Sequence, residues 1–181
     1  MADHIESASV LDQLHLLIRD VPDFPKPGIV FKDITPLLAD AAGLALAVEL
    51  MANPFRHEDI RLVIGAESRG FIFGTAVAQS LNCGFVPVRK PGKLPSERRS
   101  LTYDLEYGTD TLEIHADAIG QGARVLVVDD LIATGGTMRA CCELVQSLGA
   151  QIVGVSVLIE LGFLDGRAQV APLNVRSVLS Y

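Results

Sequence analysis

The chain has 181 residues, 49% of them hydrophobic and 20% charged, with a formal net charge of −7. This length suits one domain with a substantial core, the composition is not that of a disordered segment, and the acidic balance argues against a nucleic-acid binder, which would show a basic face. Three cysteines leave an odd count and no disulfide framework, and no stretch has the pattern of a secretion signal or the length of a membrane span, so a soluble cytoplasmic protein is expected. The four histidines, His4, His15, His57 and His115, lack metal-ligand spacing and are read as structural.

Over residues 5–19, Val10, Leu11, Leu14, Leu17 and Ile18 keep helical spacing and predict an opening amphipathic helix. Residues 21–36 follow with four prolines, which rules out a regular helix through most of the segment. Its Phe24, Ile29 and Phe31 are unusual for a loop and could cover a flat apolar ligand such as a base. A second helix is predicted over 41–51. Residues 61–66 then read as a buried strand, followed by the polar loop Glu67-Ser68-Arg69-Gly70 and an apolar helix over 71–81. Arg69 and the N–H groups around Ser68 can hold an anion in that loop.

Phe85-Val86-Pro87-Val88 is a short strand that runs into a basic segment holding Arg89, Lys90, Lys93, Arg98 and Arg99. Gly and Pro at turn positions predict a mobile loop there. Such a charge run can be merely a solvated surface; alternatively it is a lid whose cations exclude water and steady a leaving charge. Residues 111–115 alternate like a half-buried strand and suggest a hairpin returning from the loop.

Residues 124–137 carry the strongest signal. The run Val125-Leu126-Val127-Val128 is β-branched and apolar, which suits a parallel strand covered on both faces. Asp129 and Asp130 follow where open α/β sheets place ligands. Ala133-Thr134-Gly135-Gly136-Thr137 then precedes an amphipathic helix marked by Met138, Cys141, Cys142, Val145 and Leu148, with Gly149 as its stop. Adjacent glycines let backbone N–H groups turn inward at a helix N-terminus, which cradles a phosphate, and the two hydroxyls add donors. The lysine of a triphosphatase P-loop and the spacing of a dinucleotide fold are both missing. Ionised aspartates only accept hydrogen bonds, and a ribose diol offers two donors side by side. An ordinary strand-to-helix turn would also use glycines for geometry and aspartates for capping, but paired like charges at the edge of a low-dielectric core need a further reason. The final strand is expected over 152–159. Strand, polar loop, helix occurs twice, which favours βαβ units and a parallel sheet.

The segment 124–137 resembles the phosphoribosyl-pyrophosphate (PRPP) signature of the type I phosphoribosyltransferases, and the segments 24–36, 65–70, 88–95, 105–115 and 127–137 together resemble the adenine phosphoribosyltransferases almost end to end. The resemblance implies an α/β type I phosphoribosyltransferase-like fold: a central, mainly parallel sheet flanked by helices, in a single domain. Residues 1–36 would contribute the N-terminal helix and a small hood, and 89–108 a flexible lid loop. It implies transfer of the 5-phosphoribosyl group of PRPP to adenine, giving AMP and pyrophosphate with Mg²⁺ held mainly by substrate and water, in a homodimer. By position, Ala133, Thr134, Gly135, Gly136 and Thr137 would hold the 5′-phosphate, and Asp129 and Asp130 the ribose. Ser68, Arg69, Arg89, Lys90 and Lys93 would meet pyrophosphate, with Arg89 reaching the neighbouring site. Ile29, Arg69 and Leu161 would surround adenine, and a cis peptide is expected between Glu67 and Ser68. Glu106 would handle the proton at the base; read by itself, it could equally be a strand-edge carboxylate facing water. The rivals are a PRPP-dependent transferase for another purine base and a non-catalytic PRPP-sensing regulator.

Overall fold

The computed structural model describes residues 10–104 and 108–181. The chain divides into two units, the first ending at Ala47 and the second running from Val48 to Tyr181.

In the first unit the amphipathic pattern folds as α1 (Val10–Leu16), which buries Leu14 completely. Two short strands follow, β1 (Arg19–Pro22) and β2 (Val30–Asp33), paired antiparallel with Arg19 opposite Asp33 and Pro22 opposite Val30. Their connection is closed by the Gly28 N–H, which donates to Asp23 Oδ1 at 2.7 Å. Phe24 and Phe31 meet edge to face with ring centroids 5.2 Å apart. Asp33 Oδ1 accepts the Thr35 N–H at 2.9 Å as the chain enters α2 (Thr35–Ala39), whose proline lies in the first turn, where its missing N–H costs nothing. The next helix, α3 (Ala41–Ala52), starts in this unit and ends in the second.

The second unit is built on β3 (Leu62–Ala66), α4 (Gly70–Ser80), β4 (Gly84–Val88), β5 (Arg98–Asp104), β6 (Thr109–His115), β7 (Arg124–Ile132), α5 (Gly136–Ser147), β8 (Gln151–Glu160) and β9 (Val175–Ser180). Five strands form one sheet in the order β4-β3-β7-β8-β9, and every neighbouring pair is parallel. Their apolar runs are continuous because both faces are covered: Val63 and Ile64, Val125 to Val128, and Val155, Val157, Leu158 and Ile159 are all at most 1% exposed. Each such side chain contributes roughly 1.5–3 kcal/mol of burial. Helix α4 packs on β3, β4 and β7, while α5 packs on β8 and on the antiparallel hairpin β5–β6.

This connectivity positions the site. From β3 the chain crosses through α4 to β4 on one side, and from β7 it crosses through α5 to β8 on the other. The adjacent strands β3 and β7 therefore send their chains in opposite directions, which opens the crevice where open α/β sheets bind ligands.

Three features depart from the sequence reading. Strand β7 continues through both aspartates to Ile132, because β8 keeps pairing with it as far as Ile132 opposite Glu160. The basic segment is not all loop, since Arg98 and Arg99 open β5 and pair with His115 and Ile114. The β1–β2 hairpin and the edge strand β9 were not signalled by local periodicity at all.

Candidate active site

Ile64 pairs with Val127 and Gly65 with Val128, so the loops that follow β3 and β7 emerge side by side. The Glu67–Ser68 peptide bond between β3 and α4 is cis, as expected. One pocket is lined by Glu67, Ser68, Arg69, Asp129 and Asp130 together with residues 131–138. Seven residues named for the PRPP ribose and phosphate thus share a concave surface with Ser68 and Arg69.

Asp130 is only 4% exposed, and its Oδ2 lies 3.0 Å from Arg69 Nε. The Asp130 N–H donates to Asp129 Oδ1 at 2.9 Å, which fixes the orientation of the neighbouring carboxylate. Burial, and then the charge of Asp130, push the Asp129 carboxyl well above its ordinary range. Burial also raises Asp130, against the pull of the Arg69 guanidinium. Two acids that resist full ionisation beside one cation suit a ligand that brings hydroxyl donors to them.

Gly135 sits at φ +83° just before α5, a backbone conformation that bends the loop over the helix end. The Arg139 N–H bonds the Gly135 carbonyl at 2.8 Å as the helical ladder begins. The N–H groups before it belong to the first turn, where no intrahelical acceptor exists, and they carry the positive end of the helix dipole. Thr134 is exposed and Thr137 half-buried at the same place. This is an anion cradle made of backbone and hydroxyl donors.

The basic segment is anchored beside the pocket through Glu67. Its carboxylate accepts from Arg89 Nε at 3.2 Å and from the Lys90 N–H at 3.0 Å, and those donors hold the Glu67 carboxyl below its ordinary value. Arg89 also donates to the Lys93 carbonyl at 3.2 Å, with its guanidinium 5.9 Å from the Phe71 ring centroid. Lys90 Nζ pairs with Asp110, whereas the Lys93 side chain belongs to an exposed residue. Leu161 is close to the end of β7, since its N–H donates to the Ile132 carbonyl at 3.0 Å. Ile29 is in the first unit and 45% exposed. Glu106 lies outside the described residues.

The sequence reading gave no part to Glu67, Tyr103, Asp110 or Glu113. Glu113 is 5% exposed and accepts from Arg98 Nε at 3.0 Å, the Gly92 N–H at 3.0 Å and Ser100 Oγ at 3.2 Å, which ties both ends of the basic segment to β6. Only a hairpin register would have revealed these partners, because they lie up to 21 residues apart in the chain.

A family model described as the phosphoribosyl transferase domain matches residues 34–174. An adenine phosphoribosyltransferase of Methylococcus capsulatus is 56% identical over 171 residues, covering 94% of this chain and 100% of that relative. The crystal structure of adenine phosphoribosyltransferase from Thermoanaerobacter pseudethanolicus superposes with a TM-score of 0.92 at 49% identity, covering 94% of this chain and 99% of the other. The Saccharomyces cerevisiae enzyme, complexed with D-2,5-dideoxy-2,5-imino-altritol 1,6-bisphosphate and adenine, matches with a TM-score of 0.89 at 40% identity, over 96% of this chain and 100% of the other. With a parallel sheet, a switch-point pocket and an anion cradle of this kind, the chain belongs to the phosphoribosyltransferase family and, within it, to the adenine phosphoribosyltransferases.

Proposed function

We propose that the protein transfers the 5-phosphoribosyl group of PRPP to adenine, releasing AMP and pyrophosphate. The observation that carries this is the single pocket in which Asp129, Asp130 and the 133–137 loop face Ser68 and Arg69, in a chain whose yeast relative holds adenine and a bisphosphate together. The backbone donors of 133–137 take the 5′-phosphate, and the two carboxylates accept from the ribose hydroxyls. Ser68, Arg69, Arg89, Lys90 and Lys93 meet the pyrophosphate, Arg89 doing so at the neighbouring site of a homodimer. Leu161 and Arg69 contribute base contacts, and Ile29 keeps the base contact that the resemblance gives it.

In the chemical step a ring nitrogen of adenine forms the bond to the anomeric carbon while the bond from that carbon to the pyrophosphate oxygen breaks. The electron pair leaves with pyrophosphate, and the proton lost by the base passes to Glu106. No covalent nucleophile is required. The protein positions the two reactants and neutralises the departing charge.

Among the described residues no group of three or more His, Cys, Asp or Glu is arranged to hold a metal ion by itself, and the acids that line the pocket are Asp129, Asp130 and Glu67. That donor set fits Mg²⁺ held chiefly by substrate oxygens and water, and Asp129 and Asp130 would supply whatever protein oxygens the ion takes. When bound, the ion would neutralise pyrophosphate charge. No helix among the described residues is long and apolar enough to cross a membrane.

The test is a base-by-base assay with PRPP and magnesium. Adenine should be converted to AMP with equimolar pyrophosphate, and hypoxanthine, guanine and xanthine should react far more slowly. Robust guanine conversion without adenine conversion would overturn the assignment.

A further inference from the structure

Tyr103 and Asp110 face each other in the register of the β5–β6 hairpin. The Tyr103 hydroxyl donates to Asp110 Oδ2 at 3.2 Å and also lies 3.1 Å from Thr137 Oγ1, with either hydroxyl able to donate in that second pair. Lys90 Nζ reaches the same Asp110 Oδ2, and Asp110 Oδ1 is held by the Thr111 N–H at 2.8 Å. Tyr103 is 6% exposed, and burial raises its hydroxyl above the ordinary value, so it keeps its proton at neutral pH. Burial also works to raise Asp110, but the donors from Lys90 and Thr111 outweigh it and hold the carboxyl low. A charged acceptor, one hydroxyl proton and a second hydroxyl therefore connect the basic segment to the phosphate cradle.

The proton count makes this chain a coupling device. Tyr103 has one hydroxyl proton, which can point at Asp110 or at Thr137 but not both. When Thr137 turns its own proton to a phosphate, its oxygen must accept, and the Tyr103 proton swings to it. Asp110 then loses one of its donors and holds Lys90 more tightly. When Lys90 is drawn to pyrophosphate instead, Asp110 claims the Tyr103 proton, and Thr137 must spend its own proton on Tyr103.

We propose that Tyr103 and Asp110 are positioning residues that set the orientation of the Thr137 hydroxyl against the position of the Lys90 ammonium, so that separate ligands in the phosphate cradle and at the pyrophosphate cations weaken each other. This rests on the proposed function, which assigns Thr137 to the 5′-phosphate and Lys90 to pyrophosphate. After transfer the two products occupy those two places, and the antagonism favours release of pyrophosphate.

The experiment is calorimetric titration of the whole protein with ribose 5-phosphate and with magnesium pyrophosphate, each alone and in the presence of the other. In the unaltered protein each ligand should raise the dissociation constant of the other about three- to tenfold. Tyr103→Phe, which keeps the ring and its packing, should abolish that coupling and weaken pyrophosphate alone about as far as bound ribose 5-phosphate does in the unaltered protein, because Asp110 without its second donor holds Lys90 more tightly. Asp110→Asn should abolish it too and tighten pyrophosphate alone, because Lys90 is released. A merely structural role would weaken both ligands together and leave the coupling factor as it was. Coupling that survives unchanged in both variants overturns the relay alone, whereas an unaltered protein that binds neither ligand overturns the functional reading on which it rests.

Discussion

Gly166 and Gly135 touch backbone to backbone: a Cβ placed on Gly135 would lie 2.3 Å from the Gly166 carbonyl oxygen, and one placed on Gly166 would lie 2.1 Å from the Ala133 carbonyl oxygen. The turn that follows β8 therefore braces the 133–135 backbone of the anion cradle. Arg167 fixes that turn, donating through Nε to Glu160 Oε1 at 2.9 Å and through its terminal nitrogen to the Val175 carbonyl at 2.5 Å. The brace is thus tied to both β8 and β9.

Gly166→Ala should push the 133–135 backbone away and misaim its N–H donors. Overpacking of this kind costs about 1–3 kcal/mol of stability. The dissociation constant for PRPP should rise about tenfold or more, since the donors lost act on a charged group. Urea unfolding and titration with PRPP measure the two effects separately. Reduced stability with unchanged PRPP affinity would show that the cradle does not depend on the brace.

Asp129→Asn should stabilise the fold at neutral pH. Burial and the Asp130 charge raise the Asp129 carboxyl in the folded state, so folding favours its protonated form. Its contribution is fully present below the ordinary carboxylate value of roughly 3.9 and is lost as pH rises through the raised folded value. An asparagine keeps the neutral state at every pH. The variant should therefore unfold at a higher urea concentration than the unaltered protein at pH 7, with the gap closing near pH 4. A gap that widens on acidification would contradict the sign.

How much of this was legible beforehand follows from the range of the interactions. The apolar run before Asp129, the helices after Arg69 and Gly135, and the alternation at 111–115 are local patterns, and all became elements close to where the periodicity put them. The β1–β2 hairpin was hidden because its strands carry Arg19, Asp20, Lys32 and Asp33, and Pro22 sits at a strand end. Edge strand β9 is legible only through its pairing with β8. The pocket followed from motif and resemblance together, but its supports did not. Tyr103 meets Thr137 across 34 residues, and no local spacing encodes a partner so distant.

Glu106→Gln should lower turnover far more than it weakens PRPP binding. A carboxylate that accepts a proton from the base acts only as the bond forms, and such groups contribute about a hundredfold or more to rate. Glutamine preserves size and hydrogen bonding but takes no proton. Steady-state assays with adenine should show kcat falling by that factor, while titration with PRPP returns a dissociation constant close to the original. Equal losses in both would contradict a role confined to the chemical step.

Asp130→Asn should weaken PRPP with the fold retained. Asp130 is buried, and its carboxyl is raised by that burial despite Arg69, so a neutral amide of the same shape relieves an ionisation cost and leaves packing untouched. What it removes is the charged acceptor proposed for a ribose hydroxyl, together with the ion pair that holds Arg69 Nε 3.0 Å from Asp130. Hydrogen bonds to charged groups contribute about 1.5–3 kcal/mol, so the dissociation constant for PRPP should rise about ten- to a hundredfold. The binding of magnesium pyrophosphate alone should change less, because of its proposed cations only Arg69 pairs with Asp130, whereas Arg89 is held by Glu67 and Lys90 by Asp110. Titrations with both ligands, run beside a thermal unfolding scan, make the check; an unchanged PRPP affinity would remove Asp130 from the ribose site.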